Sequence, residues 1–514
     1  MNDTLNRGVS DHAVKIPDKP ALIFNDESRT FRELDDRTNS LGLAVRSLGL
    51  LEGDSIAIML PNGIEWFEVS TMADKVHAAI VPVNWHLKRD EIAYILDDSN
   101  AKLIIAHADF EDQVRAALEN MHGRKLLLVG SDGPDSYEAA IASSASDAVK
   151  IVTTGYPHVV YYTSGTSGRP KGVSHDAFDF TKPLSNGIGQ VQLWWWSEHD
   201  INICNGPAYH AGPFAYTSVA LLIGATSVIL ERFDAHGWLN AVDRYRVTRG
   251  FMVPGHFVRI LEVPAQERAE YDLSSLELIV HAAAPCPIRV KQEMMELLPN
   301  CQIWELYGAS EGGATRIGPD DWKRKLGSVG LPWPGVGIAI RDDKGNEVLT
   351  GEKGIVYITP PTGSSKFAYR NDDEKTGEAW IGDSFTVGDM GYLDEDGYLF
   401  LSDRISDMII RGGVNIYPRE IEETLLKHPA VVDCVVFGVP DPRFNELIKA
   451  MVEVRTPTDP EELLEWCRSR IADFKVPHFL EIVPELPRTP TGKILKRYLR
   501  DQHWADQPSS VNTA

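Results

Sequence analysis

Cysteine is scarce and scattered, with five residues in 514 (Cys204, Cys286, Cys301, Cys434 and Cys467) and no CxxC pair among them. This excludes a zinc finger and a disulfide framework, and buried free thiols in a reducing compartment are the plain reading. Positive charge is in deficit: 51 Lys and Arg stand against 74 Asp and Glu, for a net charge of −23. Such a surface repels nucleic-acid phosphates and anionic lipid, so neither is an expected partner, and an anionic substrate needs a local basic patch. Long apolar runs are lacking too. The best candidate, Tyr216 to Leu230, is short and broken by Thr, Ser and Gly, and it reads as a buried helix and strand, with no integral membrane segment. The first twenty residues show no basic stretch followed by an apolar one, so no signal peptide is read there and a cytoplasmic location is expected.

What is present is an ordinary folded composition, 43% hydrophobic and 24% charged. Short Val/Ile-rich runs at 55–60, 101–107 and 124–130 alternate with helical periodicity such as that of 31–48, which predicts α/β layers with mostly parallel sheets. Near residue 380 the texture changes. Two strands read as joined through an Asp396-Gly397 turn, and helix- and strand-like segments follow to the C-terminus. The expected fold is therefore α/β, with a large N-terminal domain of layered α/β subdomains (1–402) and a small, mobile α+β C-terminal domain (403–514).

The sharpest chemical signal is the segment 161–175, YYTSGTSGRPKGVSH. Thr163, Ser164, Gly165, Thr166, Ser167 and Gly168 supply small and hydroxylic residues whose backbone N–H groups can converge on an anion, and Lys171 adds a full charge. The spacing is not that of a Walker phosphate loop. Between Arg488 and Arg500 there are five basic residues and no acidic one, and Lys493 follows a turn shaped by Pro and Gly.

The segment 166–172, ending Pro170-Lys171-Gly172, resembles the signature of the adenylate-forming enzymes, a superfamily that includes acyl-CoA synthetases, luciferase and peptide-synthetase adenylation domains. The resemblance recurs over roughly residues 10 to 500. Tyr307-Gly308-Ala309-Ser310-Glu311 looks like the family's YGxTE, with Ser for the usual Thr. It implies Tyr307 against adenine, Ser310 at the α-phosphate, and Glu311 with Thr163 beside Mg²⁺. Alone, the segment could be a strand-to-helix turn. Ala283, Ala284 and Pro285 occupy the family's GGAP-like strand end, where small side chains let a purine lie flat. Asp389 and Arg404 match ribose contacts, and Ser406 stands at the hinge, where the family usually has Asp or Lys. Gly412, Gly413, Asn415 and Tyr417 resemble a loop that lines the thiol tunnel, although a Gly-Gly turn before a helix would explain them equally. His210 resembles a histidine bordering the acyl pocket, and Lys493 the catalytic lysine.

The resemblance implies an ATP-dependent acyl-CoA ligase using Mg²⁺, with catalytic residues Lys493, Glu311 and His210 and with coenzyme A as co-substrate; a homodimer is allowed for. A ligase loading a separate carrier protein and a non-catalytic nucleotide-binding homologue stay open. Trp194-Trp195-Trp196 and the segment 251–256 fall where the family builds its acyl pocket. They point to a hydrophobic acid, either a medium- or long-chain fatty acid or a bulky alicyclic or aromatic one. Three adjacent tryptophans cannot all face one pocket, and Gly255, where Thr is usual, is expected to free space there.

Overall fold

The computed structural model describes residues 8–144, 158–163, 170–175, 185–364, 366–404, 407–411, 414–441, 443–489 and 492–504. Among them the largest sheet has nine strands, and its six central members all run parallel: Gln302–Ala309, Leu278–His281, Arg249–Met252, Ile201–Cys204, Thr226–Ile229 and Pro20–Phe24, in that spatial order. Four of these strands (Ile201–Cys204, Thr226–Ile229, Arg249–Met252, Leu278–His281) are four-residue segments buried along most or all of their length, as strands covered by helices on both faces must be. The chain builds outward from Ile201–Cys204 to Thr226–Ile229 on one side, then crosses to place Arg249–Met252 on the other. The winding therefore reverses at Ile201–Cys204, and α/β sheets bind ligands outside the carboxyl ends of the strands at such a reversal.

A second sheet of five parallel strands, with Ser55–Met59 at its centre, packs through the helices Phe31–Ser47 and Ile64–Val76 into a shared apolar core. The helix and strand runs read from the sequence over 31–60 and 101–130 fall on these elements. Tyr216 to Leu230 divides into the end of helix Ala211–Ile223 and the strand Thr226–Ile229, as expected. Among the described residues no helix is long and apolar enough to cross a membrane. All five cysteines are free, and burial raises the thiols of Cys204 and Cys301 to about 12.

The stretch from Gly337 to Arg404 departs from the parallel expectation. Six of its strands form one antiparallel sheet and the seventh, Phe367–Tyr369, pairs antiparallel with Lys171–His175; tight turns such as Asp394–Tyr398 leave no room for a crossover helix. Beyond it, the long hairpin Val431–Asp441/Asn445–Val454 carries the helices Pro418–Leu426 and Pro460–Arg468 over its own apolar core, a compact α+β unit.

Candidate functional site

The site is assembled from the segments that leave the carboxyl ends of the central strands. After Ile201–Cys204 comes His210, the N-cap of helix Ala211–Ile223. Its Nε2 is buried and has no hydrogen-bond partner among the described residues, and burial lowers the imidazole to about 4, so the ring is neutral. After Arg249–Met252 come Val253 and Gly255, opening helix Pro254–Glu262. After Leu278–His281 come Ala282 to Pro285. Ala283 has φ +74°, a left-handed conformation that crowds a Cβ and is held at a cost of about 1 kcal/mol.

Gln302–Ala309 ends the series. Ser310 and Glu311 form the two-residue turn of an antiparallel hairpin with Gly312–Ile317, so this segment is a strand-to-strand turn and no helix follows it. Gly308 and Gly313 face each other across it, and a Cβ on Gly313 would fall within 2.1 Å of the Trp333 ring.

Three contacts tie this turn to its surroundings. The Tyr369 hydroxyl donates to Glu311 Oε1 at 2.9 Å. Lys171 Nζ lies 4.6 Å over the Tyr369 ring, and burial followed by the neighbouring Lys375 lowers its pKa. His175 Nε2 meets the Ser310 carbonyl at 3.2 Å. Lys171 and His175 bound one strand of the ribbon formed by Tyr161–Thr163, Lys171–His175 and Phe367–Tyr369, in which Thr163 pairs with Lys171. The glycine-rich segment thus joins the two arms of a hairpin, and its residues Ser164, Gly165, Thr166, Ser167 and Gly168 lie outside the described residues. Farther along, the Tyr307 hydroxyl donates to Asp389 Oδ2 at 2.8 Å, and Asp389 is the cross-strand partner of Arg404.

Aromatic rings pack together around Phe251. Trp194 and Trp196 are buried while Trp195, between them, is 57% exposed, so the three tryptophans do separate. Tyr216 lies 5.2 Å from Phe251 and 5.7 Å from Trp196, ring centre to ring centre, and Trp304 stands edge-on to Trp194. Arg316 crosses the faces of Trp194, Trp195 and Trp304. The Tyr216 hydroxyl and the indole N–H groups of Trp304 and Trp333 are buried without partners among the described residues.

The C-terminal unit meets the start of helix Pro254–Glu262 through a turn. A Cβ built on Gly255 would lie 3.4 Å from the Gly492 carbonyl oxygen and 3.5 Å from its Cα. The room left by the missing side chain at 255 is therefore taken by the residue preceding Lys493, where the sequence suggested acyl-pocket space. Tyr417 instead faces Lys353, whose Nζ sits 5.2 Å over its ring. Asn415 pairs with Ile410 in a hairpin whose turn residues, Gly412 and Gly413, lie outside the described residues, as does Ser406. Of the basic C-terminal residues, Arg488 pairs with Asp433 and Glu453, Lys496 with Glu422, and Arg497 with Asp501.

The donor set suits a hard divalent cation. Among the described residues no three His, Cys, Asp or Glu side chains could together hold a metal, whereas Glu311 offers a carboxylate with acceptor capacity beyond its bond to Tyr369. A magnesium ion here would take most of its ligands from phosphate and water, its usual preference. Tyr369 and Arg316 carry no mark in the sequence that singles them out, and nothing in the runs that hold His175 and Tyr216 signals their contacts. Tyr369 is 58 positions from Glu311, and no local pattern signals the pair.

The model of the AMP-binding enzyme family matches residues 9–365, and that of the AMP-binding enzyme C-terminal domain matches residues 420–493. A fatty acid–[acyl-carrier-protein] ligase of Streptomyces coeruleorubidus is 31% identical over 523 residues, covering 99% of this chain and 98% of that protein. The fold matches an anthranilate CoA ligase solved with anthranoyl-AMP (TM-score 0.85, 27% identity, 97% of this chain and 98% of that one). It also matches o-succinylbenzoate coenzyme A synthetase of Bacillus subtilis solved with ATP and a magnesium ion (TM-score 0.80, 25% identity, 96% and 99%). A hairpin ribbon ending at Lys171, a carboxylate turn at Glu311, a Tyr307–Asp389 pair and a separate C-terminal unit are thus accounted for together: the chain belongs to the AMP-binding enzyme family and is an ATP-dependent, AMP-forming acid–thiol ligase.

Proposed function

We propose that this enzyme makes acyl-coenzyme A from a hydrophobic carboxylic acid in two steps, dividing near residue 402 into a nucleotide-binding domain and a C-terminal domain that turns about Ser406. In the first step a carboxylate oxygen bonds to the α-phosphorus of ATP, the bridging bond to the β-phosphate breaks, and pyrophosphate leaves. In the second, the coenzyme A sulfur bonds to the acyl carbon, the acyl–phosphate bond breaks, AMP leaves, and the thiol proton passes to solvent. The observation that carries this reading is the Gly492–Gly255 apposition, which brings the Lys493 turn to the start of the helix that leaves the carboxyl end of Arg249–Met252.

The first step brings two anions together, so its barrier is electrostatic and entropic and calls for aligned positive charge, with no covalent nucleophile. Lys493 and Lys171 supply cations, and the hydroxyl-rich segment 163–168 supplies donors. Tyr307 and Asp389 orient adenosine, with Arg404 as the second ribose contact. Glu311 with Thr163 would hold magnesium, whose role is to neutralise phosphate charge. His210, neutral at the positive end of its helix, is suited to donate to or accept from the acid's carboxyl group. The loop from Gly412 to Tyr417 would face coenzyme A after rotation.

For the acid, the ring packing of Trp194, Trp196, Tyr216, Phe251 and Trp304 supports a compact, ring-bearing substrate over a long alkyl chain, which would have to displace buried rings. The unpartnered Tyr216 hydroxyl favours one with an acceptor group. The test is pyrophosphate release across a panel of aromatic, alicyclic and C6–C18 fatty acids, followed by thioester analysis with coenzyme A and with a holo carrier protein. Turnover led by ring-bearing acids with coenzyme A supports the reading. Turnover led by long fatty acids, or transfer to the carrier alone, contradicts it.

A further inference from the structure

We propose that Arg488 is a positioning residue that sets the reach of Lys493, an inference that rests on the catalytic reading of Lys493. Asp433 and Glu453 are register partners on the hairpin Val431–Asp441/Asn445–Val454, so their carboxylates stand side by side and repel. Burial raises the Asp433 pKa, a second sign that the pair is costly without a cation. Arg488 is that cation: its Nη1 is 2.8 Å from Asp433 Oδ2 and its Nη2 is 3.0 Å from Glu453 Oε2. Leu486 N–H also donates to Glu453, fixing the backbone just before Arg488.

The guanidinium does not stop at neutralising the pair. Nη1 also donates to the Gly492 carbonyl at 3.3 Å, and Gly492 is the residue immediately before Lys493. Bonds within the turn hold it as well, and Ile494, just after Lys493, packs on the hairpin's apolar cluster of Val435, Phe437 and Val439. Thr489 N–H donates to the Lys493 carbonyl at 2.7 Å, Gly492 N–H to the Thr489 carbonyl at 2.8 Å, and Lys493 N–H to Thr489 Oγ1 at 3.1 Å. These bonds set the shape of the turn, and Arg488 adds a charged link from the hairpin to its Gly492 carbonyl. Arg488 joins the rigid hairpin to the carbonyl that abuts Gly255. A planar fork with five donors can serve three acceptors at once, and an ammonium group on a flexible stem cannot hold all three in one geometry. The acid pair is therefore an anchor, Arg488 the strut, and Lys493 the group it aims.

The test uses the full-length enzyme with Arg488→Lys, Arg488→Met and, in parallel, Lys493→Ala. Three quantities are read: pyrophosphate release from ATP and acid, AMP release from supplied acyl-adenylate and coenzyme A, and the thermal midpoint. A misaimed lysine should lower pyrophosphate release by roughly 100-fold in Arg488→Met. The second half-reaction should stay within about twofold, and the loss should vanish in the Lys493→Ala background, where nothing remains to aim. Arg488→Lys, which keeps the charge, should fold and retain an intermediate rate. Equal loss in both half-reactions, or unchanged pyrophosphate release in Arg488→Met, would overturn the proposal. If Lys493→Ala itself kept full pyrophosphate release, the catalytic reading of that lysine would fall first, whatever Arg488 did.

Discussion

Tyr307 donates a hydrogen bond to Asp389 across 2.8 Å, which joins the ring proposed to stack on adenine to the carboxylate proposed to hold the ribose. The bond spans two sheets, because Tyr307 lies near the end of a strand of the nine-stranded sheet and Asp389 opens one of the antiparallel sheet. Tyr307→Phe keeps the ring and deletes the link. A hydrogen bond to a charged group is worth about 1.5–3 kcal/mol, so the KM for ATP should rise about tenfold or more with a smaller change in kcat. Steady-state pyrophosphate release at varied ATP measures this, and an unchanged KM would show that Asp389 needs no orienting partner.

Tyr369→Phe probes the other side of the site. Without its hydroxyl, Glu311 loses the donor that fixes one oxygen, while Lys171 keeps an aromatic face. The expected outcome is a rise of about tenfold in the magnesium concentration needed for half-maximal pyrophosphate release, with little change in the KM for the acid. An equal rise for both would mean that the tyrosine supports the fold as a whole.

Much of this arrangement is legible in the sequence, and the reasons differ by element. The parallel strands can be read because buried strands are continuous apolar runs, and 55–60 and 101–107 are such runs. Tyr307, Glu311, Asp389 and Lys493 stand out in the sequence because the short segments around them resemble motifs of the adenylate-forming enzymes, and the roles given to them are proposals on that basis. Relations across elements leave no such trace. Tyr369–Glu311 and Arg488–Gly492 depend on how sheets and turns pack, and Gly255 reads as acyl-pocket space because nothing local shows that Gly492 fills it. The turn after Tyr307 reads equally well before a helix or a strand, since a two-residue turn with no positive φ carries no Asn-Gly signal.

Ala283 offers a test on stability alone. At φ +74° a glycine would rest without strain, so Ala283→Gly should stabilise the protein by up to about 1 kcal/mol in urea unfolding. A destabilised variant would mean that the methyl group's packing outweighs the backbone strain.

Acid sensitivity follows from the buried imidazoles. Burial lowers His210 to about 4 and His256 to about 3, against about 6.5 for an exposed ring. Between those values the unfolded chain binds protons that the folded chain does not. Stability should therefore fall as pH drops below 6.5, by about 1.4 kcal/mol per pH unit for each such histidine. Urea midpoints measured from pH 7.5 to 4.5 check the sign, and a constant or rising midpoint on acidification would contradict neutral burial.

The two-step reading stands or falls with Lys493, which is carried in on the turn that rests against Gly255 and is proposed to serve acyl-adenylate formation and not thioester formation. A pair of single-turnover assays on Lys493→Ala separates the two roles: pyrophosphate release from ATP and acid, and thioester formation from purified acyl-adenylate and coenzyme A. The first should fall at least 100-fold, while the second stays near the level of the unmodified enzyme. Full pyrophosphate release in the variant, or parallel loss of both steps, would refute the assignment.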